Sequence, residues 1–319
     1  MKCALMLPAV PNLQWTLAAQ LGVKYAVTKA APELTGMPDP SNFAALKTVR
    51  DRFAASGFTL YALEGDEFDM NRIKMGLPGR DEDIERYCRM LENMGKLGIK
   101  LLCFNFMAGV GWYRSTSDLA ERGGALTSGF DLKTIANDVP LKLSEEQLWS
   151  NLLYFLKRVA PAAEKAGVQL GMHPDDPPVS PLFGYSRILI SADAYRRVLA
   201  EVASPALGIT FCQATFRAMG ENVEALVKEF GKKIFFFHFR DITGTRGDFR
   251  ETFHDNGPTD MPRLLKLVAE YAPECLIRPD HTPTMAGESN ASFGYTMQGN
   301  LFAVGYLRGI LETLGEKEY

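Results

Sequence analysis

Eight short apolar runs, each followed by an amphipathic stretch, repeat from one end of this chain to the other. The runs fall at residues 3–7, 25–28, 59–63, 100–104, 168–172, 207–211, 234–237 and 275–278. Their length and continuous apolar character predict strands of a parallel sheet covered by helices. Residues 13–21, 42–56, 81–97, 145–166, 192–202, 221–230, 261–271 and 300–314 carry the helices between them. The punctuation agrees. Gly22, Gly57, Gly98, Gly167 and Gly231 stand where helices should stop, and Ser144-Glu-Glu-Gln147 reads as a capping box. Strands alternating with helices make βαβ units. Eight of them in 319 residues predict an α/β protein, a single-domain (β/α)8 barrel spanning residues 1–319. A doubly wound open sheet is the runner-up, weakened because no glycine-rich phosphate loop follows the first strand.

Residues 107–142 interrupt this rhythm and contain Trp112, Arg114, Gly123 and Gly124. An insertion this long in a compact domain is commonly functional, and Trp112 marks it as a lid over the fourth strand. A net charge of -3 with no long basic run excludes nucleic acid and anionic membranes as natural partners. No run approaches the length of a membrane span. The start, Met1 to Pro8, is too short for a secretion signal. Five scattered cysteines argue for a reducing compartment, so a cytoplasmic protein is expected.

Chemistry in such a barrel sits at the C-terminal ends of the strands. Those positions are Glu64, Asn105, His173, Cys212, His238 and the pair Asp280-His281. The chain has only four histidines, and three of them are here. The fourth, His254, lies in the loop after the seventh strand. A lone strand-end histidine is more often a hydrogen-bonded structural residue, and a lone buried cysteine is usually a small hydrophobe. Together, however, His173, Cys212, His238 and Asp280 sit about one strand–helix unit apart, and consecutive strands would gather them around one quadrant of the mouth. Imidazole, thiolate and carboxylate are good donors to first-row metals, so these four are the candidate metal set. Asn105, Arg240, His254 and Trp112 are the candidate substrate contacts. Arg240 is suited to gripping a carboxylate bidentately, or equally to a salt bridge within the wall. Asp175 and Asp176, flanked by Pro174, Pro177 and Pro178, read as turn chemistry, with one of them supporting the site.

At these residues the sequence resembles the mannonate dehydratase family, metal-dependent sugar-acid lyases of the xylose-isomerase-like barrel group. The resemblance runs through Leu97-Gly-Ile-Lys100, Cys103-Phe-Asn-Phe-Met107 and Trp112-Tyr-Arg114. It continues through His173-Pro-Asp-Asp-Pro-Pro178, His238-Phe-Arg240, Glu251-Thr-Phe-His254, Asp260-Met261 and Arg278-Pro-Asp-His281, covering roughly residues 79–312. It implies a metal, usually manganese, on His173, Cys212, His238 and Asp280. It also implies His281 and Tyr295 as catalytic residues. Iron, cobalt or zinc would suit the same donors. A homo-oligomer, dimer or higher, is expected. The family's surroundings differ around His281-Thr-Pro-Thr-Met-Ala-Gly-Glu288 and Gly294-Tyr-Thr-Met-Gln298, the segments nearest the substrate.

The reaction this implies is dehydration of D-mannonate or a related aldonate to a 2-keto-3-deoxy acid. His281, if neutral, is the favoured base for the C2 proton and Tyr295 the acid for the leaving hydroxyl, with the opposite assignment open. Two alternatives stand beside it. A metal-dependent sugar isomerase or epimerase would want two bridging glutamates, and Glu64 is the only clear one at a strand end. A non-catalytic paralogue that binds a sugar acid would keep the barrel and lose turnover.

Overall fold

The computed structural model describes residues 1–316; residues 317–319, the end of the expected 1–319 barrel, lie outside the described residues. Eight parallel strands close into a barrel: β1 (Lys2–Met6), β2 (Tyr25–Thr28), β3 (Thr59–Glu64), β4 (Leu101–Phe104), β5 (Gln169–Met172), β6 (Leu207–Cys212), β7 (Ile234–Phe239) and β8 (Leu276–Pro279). Closure comes from β1 pairing with β8, Lys2 opposite Leu276 and Cys3 opposite Ile277. A closed sheet overrules the doubly wound alternative. Every strand begins and ends within two residues of its expected position.

The pleat sorts each strand's side chains into two cores. One set fills the barrel interior, where Ala4, Val27, Ala62, Leu101, Cys103, Phe236 and Leu276 pack. The other set meets the surrounding helices through Leu5, Leu63, Leu102, Leu170, Ile209, Phe237 and Ile277. Gly171 lies where two strands approach closely. A Cβ there would meet the Thr210 hydroxyl oxygen at 2.6 Å, so only glycine lets β5 and β6 pair at this level. The long helix Glu145–Ala166 begins with the expected capping box: Ser144 Oγ accepts from the Gln147 N–H, and the Ser144 N–H donates to Gln147 Oε1, both at 3.2 Å.

The insertion is more ordered than a long loop. Strands Thr116–Ala120 and Leu126–Asp131 pair antiparallel, and Leu126–Asp131 pairs in turn with Asp248–Glu251, which joins Ile242–Thr245. The result is a four-stranded sheet built from the loops after β4 and β7. Phe130 and Phe249 pack beneath it at 5.9 Å between ring centroids. A bridge between Leu126 and Thr284 fastens it to the loop after β8. Among the described residues, no helix is long and apolar enough to cross a membrane.

Candidate active site and metal centre

Side chains two apart on a strand share a face, so the residue following each interior core position opens into the mouth. Phe236 gives way to His238 on β7, Leu276 to Arg278 on β8, and Thr210 to Cys212 on β6. The register sets Cys212 opposite His238 and His238 opposite Arg278. Asp280 stands one pleat beyond Arg278, its N–H donating to the Phe239 carbonyl at 3.0 Å. His173 extends β5 in the same way, donating its N–H to the Phe104 carbonyl at 2.8 Å.

These four residues meet. The donor atoms of His173, Cys212 and His238 lie within 4.8 Å of one another. Asp280 Oδ2 is 3.5 Å from His238 Nδ1 and 3.9 Å from Cys212 Sγ. Ligands held about 2.0–2.3 Å from one ion lie roughly 3–4 Å apart, so the set needs only slight closure around a cation. Three details fit a metal. His173 Nδ1 donates to the Pro174 carbonyl at 2.7 Å, which leaves the Nε2 lone pair free. The His238 ring is buried and neither of its nitrogens has a hydrogen-bond partner; one faces Asp280, the other Glu64 Oε2 at 3.6 Å. The third detail is the thiol. Burial pushes Cys3 and Cys275 up to about 12. Burial works the same way on Cys212, but Arg240, His173 and His238 outweigh it and hold the thiol well below its ordinary value. An Arg240 N–H at 3.3 Å and the Thr215 hydroxyl at 3.2 Å both donate to the sulfur.

A second grouping, Glu64, Cys103 and His238, shares one histidine with the first. It suits a metal less well, because burial raises the Cys103 thiol and Glu64 is committed to Arg278 through contacts of 2.5 and 3.0 Å.

His281 follows Asp280 with φ of 33°, a left-handed conformation uncommon outside glycine and asparagine and typical of strained functional positions. A bridge between Thr282 and Gly294 brings the next loop alongside and with it Tyr295. The Tyr295 hydroxyl lies 3.1 Å from His281 Nε2, and His281 Nδ1 lies 3.1 Å from Glu251 Oε1. Burial raises the Tyr295 hydroxyl well above an ordinary phenol, so it is a protonated donor. Trp112 covers His281 at 4.9 Å and packs on Phe293 at 5.4 Å between centroids. His173, His238, Asp280, His281, Tyr295, Glu64, Asn105 and Trp112 line a cavity of about 110 Å³. Trp112 and Tyr295 also line an outer cavity of about 600 Å³ that carries Leu7, Lys29 and Phe293.

The other expected contacts separate. Asn105 reaches the cavity, with its amide oxygen held by buried Lys74 at 2.9 Å. Arg240 and His254 do not line it. Arg240 takes the wall role: it bonds Glu251 at 2.7 Å and Asp176 at 3.0 Å. His254 is buried behind Phe239, donating from Nε2 to that carbonyl at 2.8 Å, and burial lowers it to about 4, so it is a neutral structural residue. The two loop acids divide their labour. Asp175 accepts from the Ile188 and Leu189 N–H groups, thirteen and fourteen residues on, and so clamps a distant loop instead of making the local turn expected of it, whereas Asp176 is gripped bidentately by Arg114 at 2.7 and 2.8 Å. Glu251 and Arg114 carried no role in the sequence reading, although both lie within the stretches that resemble the family.

Fold and side chains together define a class: a (β/α)8-barrel enzyme with a histidine–cysteine–histidine–aspartate donor set beside a histidine–tyrosine pair. A family model for D-mannonate dehydratase (UxuA) matches residues 20–144 and 138–319. The chain belongs to the D-mannonate dehydratase family. It is 34% identical to a mannonate dehydratase of Streptococcus equi subsp. zooepidemicus over 75% of this chain and 74% of that one. It is 31% identical to that of Thermotoga maritima over 85% and 86%. The crystal structure of mannonate dehydratase from Streptococcus suis serotype 2 is similar with a TM-score of 0.89 at 28% identity, covering 100% of this chain and 96% of that one.

Proposed function

We propose that this protein removes water from D-mannonate or a closely related aldonate and releases a 2-keto-3-deoxy acid. The observation that carries this reading is the 3.1 Å hydrogen bond between His281 Nε2 and the Tyr295 hydroxyl, at the edge of the four-donor set. The reaction needs a base at C2 and an acid at C3 close together, and this pair supplies both. His173, Cys212, His238 and Asp280 would hold a divalent metal, with manganese the first choice and iron, cobalt or zinc acceptable to the same donors. When bound, it supplies Lewis-acid stabilisation for the negative charge that develops at the carboxylate end of the substrate.

The chain's own residues handle the protons. His281 Nε2 takes the proton from C2, and the C–H electron pair moves toward the carboxylate. That pair then returns to form the C2–C3 double bond as the C3–O bond breaks. Tyr295 gives its proton to the departing hydroxide, which leaves as water. The enol ketonises as C3 gains a proton and the C2 hydroxyl loses one. The hydrogen bond between the two side chains lets the proton on His281 pass to the tyrosinate, which resets the pair without recruiting solvent. Trp112, from the 107–142 insertion acting as a lid, covers His281 and keeps water from the carbanion-like centre. Asn105 is the remaining substrate contact on the opposite wall.

The test is incubation of the purified protein with a set of aldonates, with and without added manganese, followed by a colorimetric assay for 2-keto-3-deoxy acid. Metal-dependent product from mannonate supports the reading. An isomerase would give no keto acid from any of them, and a non-catalytic paralogue would give thermal shifts without product.

A further inference from the structure

Glu251 ends the outer strand Asp248–Glu251, in the loop that follows β7, and its carboxylate reaches the acid–base pair. Oε1 accepts from Arg114 at 2.7 Å and from His281 Nδ1 at 3.1 Å, while Oε2 accepts from Arg240 at 2.7 Å. All four side chains are buried. With two guanidinium groups bonded to it, the carboxylate stays ionised, and an ionised carboxylate only accepts. His281 Nδ1 must therefore carry the hydrogen.

We infer that Glu251 is a positioning residue that fixes His281 as the Nδ1–H tautomer, so that the Nε2 lone pair faces Tyr295 and the substrate. This rests on the roles proposed above for His281 and Tyr295. The opposite tautomer would present an N–H at Nε2, which cannot take a proton from C2. The same division of labour, in which a buried carboxylate orients an imidazole and itself stays ionised, operates in serine hydrolases. Arg114 and Arg240 serve the same end in two ways. They neutralise the Glu251–Asp176 pair, and Arg240 also bonds Cys212 Sγ, tying the acid–base pair to the donor set.

A double-mutant cycle tests this. Glu251→Gln, His281→Asn and the double variant are assayed for kcat, KM and metal content. Glu251→Gln is expected to lose 10²–10⁴-fold in kcat, with KM within about threefold and metal retained. The double variant is expected to be no slower than His281→Asn alone, because a residue that acts through another adds nothing once that partner is gone. Losses that multiply in the double variant, or metal lost in step with activity, overturn the inference. Should Glu251→Gln fail to fold, ¹⁵N-histidine NMR of the unaltered metal-free protein decides instead. The chain has four histidines, and the His281 signal is the one missing from His281→Asn. An Nδ1–H tautomer supports the assignment and an Nε2–H tautomer overturns it. The spectrum reads the tautomer even if no aldonate is turned over, so failure of the dehydratase reading is recognised separately.

Discussion

Arg240 places a guanidinium N–H 3.3 Å from the sulfur of Cys212, inside a wall where neither residue meets solvent. Burial works to raise the Cys212 thiol; the neighbouring guanidinium outweighs it and holds the thiol well below its ordinary value. A lysine at position 240 would keep the charge but lose the fork that also holds Glu251 and Asp176. Arg240→Lys is therefore expected to weaken metal affinity about 10–100-fold. Competition against a chromogenic chelator measures it, and unchanged affinity would remove Arg240 from the metal's support.

The donor set and the acid–base pair are adjacent in sequence at Asp280-His281, and two substitutions separate them. Asp280→Asn removes the carboxylate donor from the set and is expected to lose metal and turnover together. His281→Asn is expected to retain a full complement of metal while kcat falls by about 10²–10⁴, the usual contribution of general acid–base catalysis. Metal analysis beside the keto-acid assay distinguishes the two patterns.

Trp112 closes the inner cavity and separates His281 from the outer one. Trp112→Ala opens that wall without touching a donor. The expected result is unchanged metal content and a drop in kcat/KM of about 10–100-fold, from lost substrate positioning and water exclusion. Trp112→Phe should recover much of it.

His254 gives the protein a pH dependence unrelated to catalysis. Its folded value is about 4, against 6.5 for an exposed histidine, because burial disfavours the charged ring. The unfolded chain therefore binds the proton first as pH falls. The stabilisation is complete above 6.5 and drains away between 6.5 and about 4, at roughly 1.4 kcal/mol per pH unit. His254→Gln keeps a donor for the Phe239 carbonyl but cannot titrate. Urea unfolding of the metal-free proteins should give a flatter stability curve for the variant across that window, and parallel curves would contradict the assignment.

Much of this architecture is legible in the residue pattern, because a barrel writes its strands as short apolar runs and its chemistry as the polar residues that end them. The capping box at Ser144 and Gln147 is a local device and was readable as such. The sheet formed by the insertion was not. Thr116–Ala120 is largely polar and solvent-facing, and its order comes from pairing with Leu126–Asp131, which in turn pairs with a segment more than a hundred residues away. Glu251 was silent for the same reason: its importance lies in three partners from three separate loops. Arg240 allowed two readings because a guanidinium serves substrate and wall equally well, and only the positions of Asp176 and Glu251 decide between them. His254 looked like a mouth residue from its loop, but the loop folds back and buries the ring behind Phe239.

The four donors come from β5, β6, β7 and β8, consecutive neighbours on one side of the barrel. The opposite arc, β1 to β4 with its loops, supplies no donor to that set and lines the inner cavity through Glu64 and Asn105 and the outer one through Leu7 and Lys29. The four donors are thus confined to one arc, while Trp112 and Arg114 reach across from the loop after β4 to His281 and Glu251. Libraries that recut Leu7, Lys29 and their neighbours leave all four donors and the His281–Tyr295 pair in place, which makes the donor-free arc the natural starting point for redesigning what the cavities admit.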